Sequence, residues 1–257
     1  MIPVTFQQLA DQVLKDKGPK TVAAVIAPED AHTLEAVVYA ADQGLVEPLL
    51  FGRKTAVKAD IYDAVVVDEL EDIARFTGVP QLTRRASCHV LNMRAVALKT
   101  AQKYGRLFQD LNFVVCHMGG GITATVISRG RMIDALTDEE GSFSPERAGG
   151  VPCRQLADLC YCGQYSRQEI TKLMRGRGGL VAYLGANSAL EVEKRIAAGD
   201  HRAELIYSAM AYQTAKGIGG LTTALKGQVD YIVLTGALAR SPRFLDQVRE
   251  RIGFIAP

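Results

Sequence analysis

The sequence predicts an α/β protein in which short apolar strands alternate with amphipathic helices. One observation is the glycine triplet at 119–121, with an apolar run before it and an alternating run after it, which is typical of a strand, a bend and a second strand. Another is the apolar run at 230–234, which ends at a glycine and leads into a helical pattern. Between these runs apolar residues recur three and four positions apart, which is the period of a helix packed on one side.

Residues 1–53 are predicted to form a unit of their own. A helical pattern over residues 6–15 ends at Gly18, and residues 21–27 are predicted to be a buried strand. A second helix is expected over residues 28–44, followed by a strand at 48–52. Strand, helix and strand in this order predict a βαβ unit.

The composition is typical of an enzyme with a sizeable core, because 48% of the 257 residues are hydrophobic and 23% are charged. No apolar run approaches the length of a membrane span, and the first residues lack the pattern of a signal peptide, so a cytoplasmic protein without membrane contacts is expected. A net charge of +2 is too small to favour nucleic-acid binding. The five cysteines lack the spacing of a zinc site, which predicts reduced and mostly buried thiols.

The most informative stretch is residues 112–152. Its glycine triplet lets the backbone come close to a ligand, and consecutive amides in such a bend form a concavity suited to phosphate. A plain hairpin turn is the alternative for a triplet considered alone. His117 stands two residues before the first glycine, and Arg147 follows on a proline-bracketed loop, where an arginine is suited to clamp a carboxylate or a phosphate.

Most of the remaining chain is predicted to be helical. Ser166, with Glu169 three residues later, predicts a capping box. Helices are expected over residues 68–76, 93–104, 156–175 with a break at 161–163, 188–198, 202–225 and 241–251. In the 202–225 helix an apolar stripe is predicted to be core, formed by Leu205, Ile206, Ala209, Met210, Tyr212 and Ala215.

Several motifs resemble the butyrate kinase family, which belongs to the acetokinases within the actin-like ATPase superfamily. They are His117-Met118-Gly119-Gly120-Gly121 and the segments 130–134, 143–150, 178–185 and 233–239. The resemblance covers roughly residues 60–257. It implies an actin-like ATPase (ribonuclease H-like) lobe of the acetate/butyrate kinase type, here preceded by the short βαβ segment.

The resemblance also implies an activity. A butyrate kinase transfers a phosphoryl group reversibly between ATP and butyrate or a branched-chain relative, in short-chain fatty acid metabolism. ATP and Mg²⁺ are the implied cofactors, the implied partner is a small carboxylate substrate, and homo-oligomers are common in the family.

The family's pattern assigns catalytic roles to three residues. His89 and His117 are expected to stabilise the transferred phosphoryl group, and Arg147 is expected to orient the carboxylate or the phosphoryl oxygens. Asn92 matches an asparagine that follows the first histidine in the family. For His89 alone, at the start of a helix, a capping or packing role is the alternative.

The same pattern assigns the nucleotide site and a metal contact. Gly119, Gly120 and Gly121 are expected to hold the β- and γ-phosphates. Gly236 and Ala237 are expected to meet the adenosine, although butyrate kinases usually have two glycines there, so the methyl group of Ala237 is expected to weaken ATP binding. Asp134 is a candidate Mg²⁺ contact, with a strand-end turn as its alternative role, and residues 138–140 are expected to be a solvated loop.

Residues 1–53 resemble instead the beginning of phosphate butyryltransferase. The sequence has no match to the phosphate-binding hairpin that opens the first lobe of a butyrate kinase. The expected arrangement is therefore a transferase-like segment joined near residues 53–60 to a kinase lobe, residues 60–257, that is shortened at both ends relative to the family. Two alternatives to an active kinase follow, namely an inactive fusion remnant and a fragment of a phosphate acyltransferase.

Overall fold

The computed structural model describes residues 21–26, 46–51, 65–66 and 70–256. The chain divides into two units, Met1–Val65 and Val66–Pro257. The helices predicted over residues 6–15 and 28–44, and the junction predicted near 53–60, lie outside the described residues.

Two parallel strands are described in the first unit. Strand β1 is Thr21–Ile26 and strand β2 is Val46–Phe51, with Thr21 opposite Val46 and Ile26 opposite Phe51. Both predicted strands are confirmed. Because parallel neighbours need a crossover connection, their pairing is the one that a βαβ unit requires. The two-residue strand β3, Val65–Val66, stands at the division between the units.

The second unit is built on a four-stranded mixed sheet. Strand β4 is the short Ser87–Cys88. The strands of the sheet are β5 Asn112–Met118, β6 Ile122–Ser128, β7 Arg131–Leu136 and β8 Tyr231–Thr235. They lie in the order β7-β6-β5-β8, with β5 antiparallel to β6 and parallel to β8.

Helices cover both faces of this sheet, which explains why β5 and β6 are almost continuously apolar. Helix α1, Val90–Lys103, packs against β5 and β8. Helix α6, His201–Thr222, packs on the sheet and against α5 and α7. The other helices are α2 Cys153–Tyr161, α3 Arg167–Met174, α4 Gly179–Leu184, α5 Ala189–Ala197 and α7 Pro242–Ile252.

Side-chain caps define several helix starts. Ser188, Asp200 and Ser241 each accept a hydrogen bond from the third backbone amide of the helix that follows, which satisfies one of its unpaired donors. The capping box predicted at Ser166 and Glu169 is confirmed at the start of α3.

Some predicted helical features are wrong. The helix predicted over residues 68–76 is only a 3-10 turn, Asp72–Arg75, in the described part of that stretch, and its apolar residue Ile73 is 81% exposed. With no buried face, that turn lacks the packing that stabilises most protein helices. In α6 the predicted core residues Leu205 and Tyr212 are 71% and 52% exposed.

The buried face of α6 is rotated from the predicted stripe. Met210 and Ala215 are buried as predicted, but Tyr207, Thr214 and Ile218 complete the face at helical spacing. Apolar residues occur on more than one face of this helix, so their spacing alone does not identify the buried face. The buried residues are those on the face that contacts α5, α7 and β6.

The cysteine prediction is partly wrong. Cys88 and Cys116 are buried, and burial raises the pKa of each thiol to about 12. Cys153, Cys160 and Cys162 are exposed on or next to α2, whose residues are not buried. Among the described residues, no helix is long and apolar enough to cross a membrane.

Candidate active site

Strands β5 and β8 end at the same edge of the sheet. His117 on β5 is opposite Thr235 on β8, and the two strands are parallel. The glycine bend follows β5 and Gly236 follows β8, so both predicted phosphate and adenosine segments lie at the carboxyl ends of adjacent parallel strands. Ligands in open α/β sheets bind at such edges.

Gly236 is required by close packing between these strand ends. Its φ is +95°, and a Cβ there would lie 2.5 Å from the carbonyl oxygen of Met118. A side chain would therefore push the end of β8 away from β5. Ala237 starts a 3-10 turn, Ala237–Arg240, and is exposed.

The glycine bend is attached to the loop that carries Arg147. The Gly119 amide donates to the Gly121 carbonyl oxygen over 2.9 Å. The Gly120 carbonyl oxygen accepts from the Ser144 hydroxyl over 2.7 Å and from the Glu146 amide over 3.0 Å. In the described part of the chain, the amides of Gly120 and Gly121 donate to no acceptor, which makes them available to an anion.

None of these three glycines has a positive φ. A Cβ at Gly120 would lie 3.3 Å from Glu146 Oε2, the flexible end of that side chain, and one at Gly121 would be in ordinary van der Waals contact, 3.7 Å from Arg147 Cγ. The bend therefore brings its backbone directly against the side chains of the loop.

Two histidine rings stack beside the bend. His117 is on β5 and His89 immediately precedes α1; their ring centroids are 3.9 Å apart and their planes differ by 15°. Thr123 Oγ1 is 3.0 Å from His89 Nδ1. Asn92 Oδ1 is 3.0 Å from His117 Nδ1.

The environment of His117 disfavours its protonation. Burial, and then the charge of the neighbouring His89, lower the pKa of His117 to about 4. His117 is therefore neutral at neutral pH.

Arg147 is held by acids next to the bend. Its Nε donates to Asp138 Oδ2 over 3.1 Å, and its Nη1 lies 3.5 Å from Glu146 Oε2. Asp138, which also lies 3.9 Å from Arg175 Nε, has a side chain that is only 16% exposed. The prediction of a solvated loop is therefore wrong for Asp138, because its partly buried carboxylate is paired with these two arginines.

Glycines fix the backbone of this loop. Gly179 has a φ of +63°, and a Cβ there would overlap the carbonyl group of Ser144. The Leu180 amide donates to that same carbonyl oxygen over 3.2 Å. The start of α4 therefore lies directly against the loop that carries Arg147.

Asp134, the candidate metal contact, has a different partner. Its Oδ1 accepts from Arg84 Nη1 over 3.1 Å and from the Ala135 amide over 2.8 Å. Arg84 also donates through Nε to Glu140 over 2.7 Å. Hydrogen bonds to Glu140 are the largest cause of the raised pKa of Arg84. Asp134 thus belongs to an ion-pair cluster and is not in contact with the histidine pair.

Among the described residues, no group of three or more His, Cys, Asp and Glu side chains could hold a metal ion. Mg²⁺ is usually bound by one or two carboxylates together with substrate phosphates, so its fit to this site depends on single carboxylates beside the bend. Glu146 is the carboxylate beside the glycine bend, and its Oε1 accepts from Asn187 over 2.8 Å.

The structure thus brings together His89, His117, Arg147 and the glycine bend, with Gly236 adjacent. Sequence reasoning missed the roles of Thr123, Asp138, Ser144 and Asn187 in this site. Thr123 is opposite His117 in the β5–β6 register, so the hairpin prediction contained a signal for it. The other three are brought in by long-range packing of loops.

A separate cavity of about 690 Å³ lies between β7 and α6. Arg84, Asp134, Glu140 and Lys216 are among its lining residues, whereas the histidines and the glycine bend are not. This cavity is therefore distinct from the site that the motifs predict.

Comparisons with known proteins show the family and the fold. The sequence profile of the Acetokinase family matches residues 73–251, which is more than half of the chain. An acetate kinase from Porphyromonas gingivalis superposes with a TM-score of 0.70 at 18% identity, over 97% of this chain and 72% of that one. A propionate kinase from Francisella tularensis gives a TM-score of 0.69 at 17% identity, over 97% and 73%.

An acetate kinase from Entamoeba histolytica gives a TM-score of 0.67 at 16% identity, over 96% of this chain and 72% of that one. The α/β actin-like ATPase fold of the acetate kinase type is therefore confirmed. With the profile match, the comparison leads to one identification: the chain belongs to the acetokinase family.

Proposed function

We propose that the chain is a carboxylate kinase that transfers a phosphoryl group reversibly between ATP and a short-chain carboxylate, with butyrate or a branched-chain relative as the acceptor. The observation that carries the proposal is the stacked pair His89 and His117 beside the glycine bend. The similar solved structures are acetate and propionate kinases. The preference for butyrate rests on the residue motifs, and a homo-oligomeric cytoplasmic enzyme is proposed on the same basis.

ATP would bind across the ends of β5 and β8. The amides of Gly120 and Gly121 would donate to phosphate oxygens, and the segment at Gly236 and Ala237 would contact the adenosine. Backbone amides fixed by a hairpin and a packed loop stabilise phosphate charge without rearrangement during the reaction. Phosphoryl transfer depends mainly on such positioning and charge neutralisation.

Arg147 would orient the reacting oxygens. Asp138 fixes the guanidinium through Nε and the Glu146 carbonyl oxygen fixes it through Nη1, so the N–H groups of Nη2 can bind a phosphoryl group or a carboxylate. His89 would donate to the transferred group.

Mg²⁺ would supply neutralisation of the phosphate charge. Asp134 pairs with Arg84 through Oδ1, whereas Glu146 lies beside the glycine bend, so Glu146 is the better-placed carboxylate. Its hydrogen bond from Asn187 would orient it.

The test is acyl phosphate formation, trapped as the hydroxamate, with ATP, Mg²⁺ and acetate, propionate, butyrate or isobutyrate. We expect ATP-dependent product, with the highest kcat/KM for butyrate or isobutyrate. A higher kcat/KM for acetate than for butyrate would overturn the butyrate assignment but would still support carboxylate kinase activity.

Two other outcomes support the alternatives. ATP binding in calorimetry without product from any acid would favour an inactive fusion remnant, in which residues 1–53 and 60–257 come from different ancestors. Phosphate-dependent release of coenzyme A from butyryl-coenzyme A would favour a phosphate acyltransferase.

A further inference from the structure

The hydrogen bond between Asn92 and His117 determines which ring nitrogen of His117 carries the proton. The partner of His117 Nδ1, at 3.0 Å, is the side-chain oxygen Oδ1 of Asn92. An amide oxygen only accepts hydrogen bonds, so Nδ1 must donate. In a neutral imidazole the other nitrogen, Nε2, then has a lone pair and no hydrogen.

The unprotonated nitrogen lies next to the glycine bend. His117 Nε2 is 3.2 Å from the position that a Cβ at Gly119 would occupy. Burial and the charge of His89 both oppose protonation of His117, so the lone pair persists at neutral pH. His89 is the titratable group whose ring stacks on that of His117.

Asn92 has no capping function that would otherwise explain its position. It is the third residue of α1, and the start of that helix has no side-chain cap hydrogen bond. Its amide group points instead to β5, the strand against which α1 packs.

We propose that Asn92 is a positioning residue that holds His117 as the Nδ1–H tautomer, so that Nε2 is a hydrogen-bond acceptor at the glycine bend. The consequence for catalysis rests on the proposed function. His117 accepts a hydrogen bond at the phosphate site, from water or from a protonated phosphoryl oxygen. His89 is then the histidine that donates a hydrogen bond directly to the transferred group. The two stacked histidines therefore have different roles.

The decisive experiment is long-range ¹H–¹⁵N correlation NMR on the full chain labelled with ¹⁵N-histidine, at pH 7.5. The chain has only four histidines, and a His117→Gln spectrum assigns the signal. We expect His117 in the Nδ1–H form in the wild type and in Asn92→Asp, and a mixture of tautomers in Asn92→Leu. An Nε2–H form in the wild type would overturn the proposal, because Asn92 would then be donating through its nitrogen.

Kinetics give a second readout. Asn92→Leu should lower kcat about tenfold to a hundredfold, the range for partners that orient histidine ligands, with KM for ATP little changed. Asn92→Asp should recover most of the lost kcat, since a carboxylate also accepts from Nδ1. Gln102→Leu removes another exposed amide from α1 and should leave kcat unchanged.

The two experiments separate the possible failures. Absence of kinase activity in the wild type would contradict the proposed function but leave the NMR test intact. An unchanged kcat in Asn92→Leu, despite the altered tautomer, would overturn the positioning role.

Discussion

His117 illustrates how a single side chain combines a shared motif with a specific environment. Its position before the glycine bend is visible in the sequence. Its neutrality is not, because that depends on burial and on the stacked ring of His89.

The depressed pKa predicts a pH dependence of stability. The unfolded ring has a pKa near 6.5 and the folded ring one of about 4, so the unfolded state binds a proton first as the pH falls. The stabilisation associated with His117 is complete above about pH 6.5 and is lost as the pH falls through 4. Melting temperatures of the wild type should fall more between pH 6.5 and 4 than those of His117→Gln. Parallel curves would show that His117 is not responsible.

Removing the Arg147 side chain is predicted to lower kcat much more than removing that of its equally charged neighbour Arg175. Arg147→Ala should lower the kcat for hydroxamate formation roughly a hundredfold to a thousandfold, the range for loss of one transition-state donor. Arg175→Ala is the matched control, since Arg175 also faces Asp138 but lies half exposed at 3.9 Å. Equal losses of kcat in the two variants would mean that Arg147 acts only as an ion-pair partner of Asp138 and does not contact the reacting groups. Melting curves of both variants would reveal any loss of fold.

Among the secondary-structure elements, helix α6 shows that the spacing of apolar residues alone does not predict which of them are buried. Leu205 and Tyr207 are both large residues on a helix of apolar character, yet the first is 71% exposed and the second is fully buried. Tyr207 packs on Phe244 of α7, and its hydroxyl donates to Glu193 of α5 over 2.8 Å.

This difference predicts unequal stability effects. Tyr207→Ala should lower the free energy of unfolding by about 3–5 kcal/mol, the range for truncating a large buried aromatic residue. Leu205→Ala should change it by less than about 0.5 kcal/mol, as at most exposed positions. Urea unfolding at pH 7 measures both. Similar losses would mean that the predicted stripe with Leu205 is the buried one.

The close packing of the Arg147 loop against α4 predicts that alanine substitutions at two glycines have unequal effects on stability. Gly179 and Gly185 both have positive φ, +63° and +69°, but only Gly179 has backbone atoms where a Cβ would go. Gly185→Ala should lower the free energy of unfolding by about 1–2 kcal/mol, the penalty of the left-handed conformation alone. Gly179→Ala should lower the free energy of unfolding by clearly more than that, and it should also reduce kcat, because the added Cβ displaces Ser144. The comparison uses urea unfolding and the hydroxamate assay, and equal costs would contradict the close packing.

At the scale of the whole molecule, exposed apolar side chains favour association. Phe254, which is 85% exposed, and Tyr212 line a groove of about 570 Å³ between α6 and the end of α7. Lys216, Glu250 and Arg251 also line the groove, and exposed apolar side chains rimmed by charged residues are typical of interaction sites.

We therefore predict concentration-dependent self-association of the full chain, measured by light scattering across several concentrations. Phe254→Asp should shift the equilibrium towards the monomer, because a charge in the groove would have to be desolvated. Phe76→Asp, at a residue that is 79% exposed and far along the chain, should have no such effect. A wild type that stays monomeric at every concentration would contradict the prediction.

The sequence by itself determined the α/β class, the strands around the glycine bend, the capping box at Ser166 and the membership signalled by the motifs. These features depend on local patterns of two, three or four residues and on short segments, which a chain carries without folding. The tertiary structure decided which face of α6 is buried, that Asp138 is held by arginines, and that Asp134 pairs with Arg84. These features arise from contacts between residues far apart in the chain, and their energies depend on burial and on the geometry of partners that no local pattern specifies.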